Sequence, residues 1–170
     1  MLCVTASCAP QVPRPVLLTA QSRLGLADGF GPGIVSATND SMAFQLDAPA
    51  HVIVLRVMND MSIEQVHPVG PSDPEVPRGT HAVMAPSQPG IVPGHGRVLS
   101  RRENQAGYWL LIMSDTRTLP FELEARIQAL KVDTDSLPNL VRQVPGALIG
   151  GRTTNWSAYY LGFVLAKKPH

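Results

Sequence analysis

The stretch Ser41–Met58 reads SMAFQLDAPAHVIVLRVM, and it decides the fold class. In its first part Met42, Phe44 and Leu46 alternate with small or polar residues. A period of two is typical of a strand that buries one face. After a short break, His51–Met58 is β-branched and almost continuously apolar, which is typical of a central strand covered on both faces. This stretch therefore predicts a layered, mainly β domain.

Further strand signals recur along the chain, separated by segments that are rich in Gly and Pro. Asn59-Asp60 is predicted to form a tight hairpin turn with positive φ, although the preferred glycine is absent. Residues 69–79 and 86–96 are predicted to be loops. The additional strand candidates are residues 61–66, 80–84, 108–113 and 156–166.

Helical signals appear only between the last two strand candidates. Pro120 suits the first turn of a helix, and an apolar stripe follows it at helical spacing. The stripe consists of Leu123, Ile127 and Leu130. A second helix is predicted to begin after Ser136 as its N-cap and to stop before Pro145. The order of elements favours an antiparallel β-sandwich with one or two short helices near the C-terminus, formed by residues 34–170 as a single domain.

Composition and charge narrow the function classes. The 170 residues include 14 Lys+Arg and 13 Asp+Glu, which gives a net charge of +1 and argues against binding nucleic acid by phosphate neutralisation. With 44% hydrophobic residues the chain is too apolar for a disordered protein, and its 14 Gly and 16 Pro disfavour long helices. The composition therefore indicates a compact, strand-rich domain.

Both cysteines lie near the start of the sequence. Because Cys3 and Cys8 are the only two, no four-ligand structural zinc site built from cysteines is predicted. The small residues before Cys8 resemble a bacterial lipoprotein processing site, and a Pro-containing segment follows. This resemblance predicts a lipid anchor at Cys8 and makes residues 1–33 a leader or tether. The alternative is a frayed terminus with two incidental thiols.

A succession of short motifs runs through the middle of the chain. They are the strands Ser41–Leu46 and His51–Val57, the turn Asn59-Asp60, the ending Val66-His67-Pro68, the segment Pro77-Arg78-Gly79 and the strand Gly107–Ser114. With these motifs the stretch Asp40–Thr118 resembles a bacterial envelope domain family of unknown function. Members of that family occur as lipoproteins and as modules attached to kinases or caspase-like peptidases. The resemblance implies a β-sandwich and an envelope location, and it implies no catalytic residues.

The residues that could carry chemistry do not form a recognised pattern. His51, His67, His81 and His95 fall near predicted strand ends or in loops, where several could meet on one rim. No pair of them has helical ligand spacing, so neither a metal site nor a cofactor is predicted. The Gly-x-Ser-x-Gly elbow of many hydrolases is also absent from the sequence, and no enzyme is predicted.

The sequence thus favours a non-enzymatic, lipoprotein-like module in the bacterial periplasm, lipid-anchored to the membrane. We expect its partner to be another envelope or secretion-system protein, and not nucleic acid. An edge strand of the sandwich would bind that partner by strand addition. The loop residues predicted to contact a partner or ligand are His67, Asp73, Arg78, His81 and His95. The alternative is a small ligand-binding or hydrolytic domain with its pocket in the loops at residues 69–79 and 86–96.

Overall fold

The computed structural model describes residues 30–38, 40–69, 72, 74–85, 91–92, 106–130, 136–149 and 155–164. The strands and helices, in chain order, are β1 (Gly33–Ala37), β2 (Ser41–Leu46), β3 (His51–Met58), β4 (Ile63–His67), β5 (Gly79–Met84), β6 (Ile91–Val92), β7 (Ala106–Ser114), α1 (Pro120–Ala129), α2 (Leu137–Ile149) and β8 (Trp156–Val164). None of the described helices is long and apolar enough to span a bilayer.

The strands form two antiparallel sheets. The small sheet has the order β1-β2-β5, and the large sheet has the order β6-β4-β3-β7-β8. Neither sheet closes into a barrel, and the two pack face to face as in a β-sandwich. The predicted fold class, mainly β with two short helices near the C-terminus, is therefore confirmed.

The core between the sheets follows from the period of two in the sequence. On β2 the side chains of Met42, Phe44 and Leu46 are buried, as their alternation predicts, and they face the large sheet. The large sheet contributes the residues that alternate toward them. These include Val52, Val54, Trp109, Leu111, Met113, Tyr159, Leu161 and Phe163. Burying each aliphatic side chain of this kind contributes about 1.5–3 kcal/mol.

The opposite face of the large sheet is covered by the two helices. Leu123 and Ile127 of α1, together with Val141 and Val144 of α2, pack on Ile53 and its neighbours in the sheet. The molecule therefore has three layers: the small sheet, the large sheet and the helices. This arrangement explains the almost continuous apolar run of β3, because alternate side chains of that strand enter different cores.

The turn between β3 and β4 differs from the predicted one. The positive φ of 66° belongs to Met61, whereas the sequence placed it at Asn59-Asp60. Met58 N donates to Ser62 O at 2.9 Å, so the loop has three residues, and its third residue adopts the left-handed conformation. The Met61 side chain packs against the core under the helices, which compensates for the strain of this conformation.

The second helix also runs further than predicted. Pro145 lies inside α2, which continues to Ile149, so the prediction that Pro145 stops the helix is wrong. A proline in this position removes one helical hydrogen bond and crowds the carbonyl four residues earlier. Val144, Leu148 and Ile149 are all buried on the large sheet, and this packing outweighs the local cost.

Candidate functional site

The residues singled out by sequence lie in different parts of the molecule. Three of them are outside the described residues: Cys8, Asp73 and His95. His67 is half-buried at the end of β4, in the large sheet. Arg78 is exposed and directly precedes β5, and His81 lies on β5 itself. The structure thus brings Arg78 and His81 together along one edge of the small sheet.

An edge strand presents backbone groups that can pair with another chain, and proteins usually protect such edges. In the large sheet, the edge strand β6 is two residues long as far as the structure describes it, so it offers few backbone groups for pairing. At the other edge, β8 is regular and uncharged, but residues 157–161 and 163 are buried, so little of this strand is accessible to a partner. On its helix-covered face, Arg142 of α2 donates a hydrogen bond to the Tyr160 hydroxyl, which raises the pKa of the guanidinium above its ordinary value. A short strand and cover by other parts of the molecule are two of the known protective devices.

The β1 edge of the small sheet is protected differently. Its register with β2 shifts between Ile34 and Ser36, which leaves Val35 as the extra residue of a β-bulge. Gly33 has φ +82°, and a Cβ built there would lie 2.6 Å from the ring of Tyr159 on β8. The Tyr159 hydroxyl in turn donates to the carbonyl of Gly31 at 2.8 Å. β1 is therefore bent and fixed against the large sheet.

The β5 edge has none of these features. Its register with β2 is regular over all six residues, and its sequence GTHAVM contains neither a charge nor a proline. The side chains of Thr80, Ala82 and Met84 point away from the core, and Met84 is 74% exposed. Within the described part of the chain, no strand pairs with β5 on its outer side. We therefore take the β5 edge, residues 79–84, as the candidate functional site.

The backbone groups of the β5 edge can be assigned from one hydrogen bond. Ala85 N donates to Asp40 O at 2.7 Å, which makes this opposite pair a hydrogen-bonded one. Because hydrogen-bonded and non-hydrogen-bonded pairs alternate in an antiparallel ladder, Gly79, His81 and Val83 bond to β2. The N–H and C=O groups of the other three residues then point outward. These residues are Thr80, Ala82 and Met84.

His81 faces the core between the sheets. Its ring lies over Phe44, with centroids 5.5 Å apart, and its Nε2 is 2.7 Å from the carbonyl oxygen of Pro77. These two contacts fix the start of β5 and the segment before it, on which Arg78 lies. His81 therefore positions the β5 edge from the inner side of the sheet.

A buried ion pair lies on the face of the large sheet that packs against the small sheet, and the sequence did not reveal it. Arg56 Nη1 on β3 donates to Glu64 Oε2 on β4 at 3.0 Å, and both side chains are almost fully buried. The guanidinium also lies 5.4 Å from the ring centroid of Trp109 and 5.0 Å from that of Phe163. One signal existed in the sequence: Arg56 and Glu64 face each other across the β3–β4 hairpin.

Trp109 links this pair to the small sheet. Its Nε1 donates to the carbonyl of Thr38 at 2.7 Å, in the turn between β1 and β2. Thr38 Oγ1 accepts from the backbone N–H of Ser41, which holds the turn closed. Asp40, in the same turn, pairs through its backbone with Ala85 at the end of β5. The ring that packs on the buried guanidinium therefore also holds the turn beside one end of the β5 edge.

The described residues contain no group of three or more His, Cys, Asp and Glu side chains placed to hold a metal ion. Comparison of the chain with protein-family models, with curated proteins and with solved structures gave no match.

Proposed function

We propose that the protein is a non-enzymatic interaction module of the bacterial cell envelope that binds an extended protein segment along the β5 edge. The observation that carries the proposal is the contrast between this edge and the other three. Among the described edge strands, only β5 combines a regular register over six residues, a sequence without charge or proline, and exposed alternate residues. The β8 edge is also regular and uncharged, but most of its residues are buried. Backbone pairing would supply the affinity, and the outward side chains would supply the specificity.

The mode of binding follows from the register. A partner segment that runs antiparallel to β5 can exchange hydrogen bonds with Thr80, Ala82 and Met84, whose backbone groups point outward. Each of these three residues would form a hydrogen-bonded pair with the partner residue opposite it, in which the two residues exchange two backbone hydrogen bonds. Because the small sheet is already folded, most of the conformational entropy lost on binding is lost by the partner segment.

The envelope location in this proposal rests on the sequence at Cys8 and on the family resemblance. Intact mass measurement on membrane and soluble fractions from native cells tests it. We expect a membrane-bound species that begins at Cys8 and carries the mass of acyl chains. A soluble species with free thiols would contradict the lipid anchor and leave the interaction site to be tested separately.

The interaction site is tested by photo-crosslinking in cells. A photoreactive amino acid at Ala82 should give a discrete crosslinked product, because the partner strand would lie beside that position. The matched control is the same amino acid at Ser36, which is exposed on the other edge of the same sheet. We expect product at Ala82 and none at Ser36. Absence of product at Ala82, or equal product at both positions, would overturn the proposed site.

A further inference from the structure

We propose that the strand that occupies the β5 edge is β5 of a second copy of this chain, related to the first by a twofold axis. This inference rests on the proposed function, because it names the partner of the same edge. Pairing of two such edges would join the two small sheets into one continuous antiparallel sheet. Three observations support a second copy: the symmetry of the outward backbone groups of β5, the charges beside its two ends, and its exposed side chains.

The symmetry comes from the positions of the outward backbone groups. Thr80, Ala82 and Met84 are spaced evenly about Ala82. A twofold axis at Ala82 places Ala82 opposite its own image, and it places Thr80 of each copy opposite Met84 of the other. Every outward N–H and C=O group of the three residues then has a partner, whereas a shift of the axis along the strand leaves some of them unpaired.

The charges at the two ends of β5 are complementary in this arrangement. Arg78 precedes the strand, and Asp40 lies beside its far end, where it pairs with Ala85 through the backbone. Both residues are exposed. Antiparallel pairing brings Arg78 of one copy to the same end of the joined sheet as Asp40 of the other, and the twofold axis does so twice. At physiological salt such charges attract over roughly 8–10 Å.

The outward side chains also fit a second copy. Ala82 is small, so it places no bulk on the twofold axis where the two copies come closest. Met84 is 74% exposed in one copy, and pairing would set it beside Thr80 of the other copy. Contact between Met84 and the neighbouring strand would remove apolar surface from water, which favours association.

Sedimentation equilibrium of the full chain, over a wide range of concentrations, tests the inference. We expect a monomer–dimer equilibrium that Ala82→Lys weakens about tenfold or more, because two like charges would lie directly opposite each other. Ser36→Lys is the matched control, since it adds the same charge to the same face at the bulged edge. It should leave the equilibrium unchanged. A chain that stays monomeric, or a dimer that Ala82→Lys leaves intact, would overturn the inference.

A charge exchange distinguishes a second copy from a different partner. Arg78→Asp and Asp40→Arg should each weaken the dimer, and the double variant should recover it, because each variant chain again offers complementary ends. Weakening without recovery in the double variant would overturn the pairing. If the wild-type chain is monomeric but the photoreactive group at Ala82 still captures a different protein, the second-copy inference fails and the proposed function stands. If neither self-association nor capture occurs, both fail.

Discussion

The two edges of the small sheet pair with the same central strand, yet they are built in opposite ways. β1 is bulged at Val35, approaches Tyr159 closely through Gly33 and is fixed to the large sheet. β5 keeps a regular register and carries no charge between Gly79 and Met84. Exposure alone therefore does not mark an interaction edge. What distinguishes β5 is the absence, within the described strand, of the features by which the other edge is made unsuitable for pairing.

The supports beneath the two edges also differ. β1 rests on the aromatic ring of Tyr159, so its contact with the large sheet is close and largely apolar. β5 lies on the side of β4, the strand that contributes Glu64 to the buried ion pair. Removing one partner of a buried ion pair destabilises the fold more than removing an apolar contact, because the remaining charge is left buried without a partner.

The largest effect is expected from the buried ion pair. Glu64→Ala removes the partner of a buried guanidinium, and Arg56 Nε already has no hydrogen-bond partner among the described residues. We expect a loss of about 3–5 kcal/mol in the free energy of unfolding, measured by chemical denaturation. The double variant Arg56→Met with Glu64→Leu should recover most of that loss, because it leaves no unpaired charge. A double variant as unstable as the single one would contradict this account.

The next largest effect on stability is expected from a glycine substitution on β1, compared with the same substitution on β5. Gly33→Ala places a Cβ 2.6 Å from the Tyr159 ring, at a residue with positive φ. We expect this substitution to lower the free energy of unfolding by about 2–3 kcal/mol. Gly79→Ala on β5 is the matched control, since its φ is also positive but the nearest atom to its Cβ is His81 Nε2 at 3.9 Å. It should cost only about 1–2 kcal/mol, from the backbone conformation. Both variants are measured by thermal and chemical denaturation. If Gly33→Ala and Gly79→Ala lost the same stability, β1 would not be fixed by this close approach.

A smaller effect is expected at the turn that links the edges. Trp109→Phe keeps an aromatic ring in the core but removes the donor to the Thr38 carbonyl. Because Thr38 is exposed and its carbonyl can bond water instead, the lost hydrogen bond should cost about 1 kcal/mol, and the smaller ring in a fully buried site should add about 1 kcal/mol. Amide hydrogen exchange should show the change in the Thr38–Ser41 turn. Unchanged protection there would mean that Trp109 does not hold the turn.

The sequence predicted the parts of this fold that depend on local periodicity. The alternation in β2 correctly indicated a strand with one buried face. The continuous apolar run of β3 correctly indicated a strand that is buried on both faces. The sequence did not reveal the bulge at Val35, because no glycine or proline stands there to mark it. It did not reveal the approach of Gly33 to Tyr159, because these residues are far apart in the chain. Pro145 failed as a stop signal because the packing of α2 on the distant strands of the large sheet outweighs a local preference.

The candidate site was predicted only in part. Pro77-Arg78-Gly79 directed attention to the start of β5, and Arg78 does lie exposed there. The sequence could not show that β5 is an edge, since strand order depends on long-range pairing, nor that His81 faces the core over Phe44. Residues at successive positions of one strand face opposite sides, so a shift of one residue separates a surface position from a core position.

The smallest effect on stability is expected at the centre of the β5 edge. The side chain of Ala82 points outward, so Ala82→Lys should change the free energy of unfolding by no more than about 0.5 kcal/mol at a protein concentration too low for association. Val83→Lys, one residue on, places the charge against the core between the sheets and should cost several times more. If Ala82→Lys were as destabilising as Val83→Lys, the outer face of β5 would be supporting the fold. Its open edge could then no longer be treated as a surface reserved for binding.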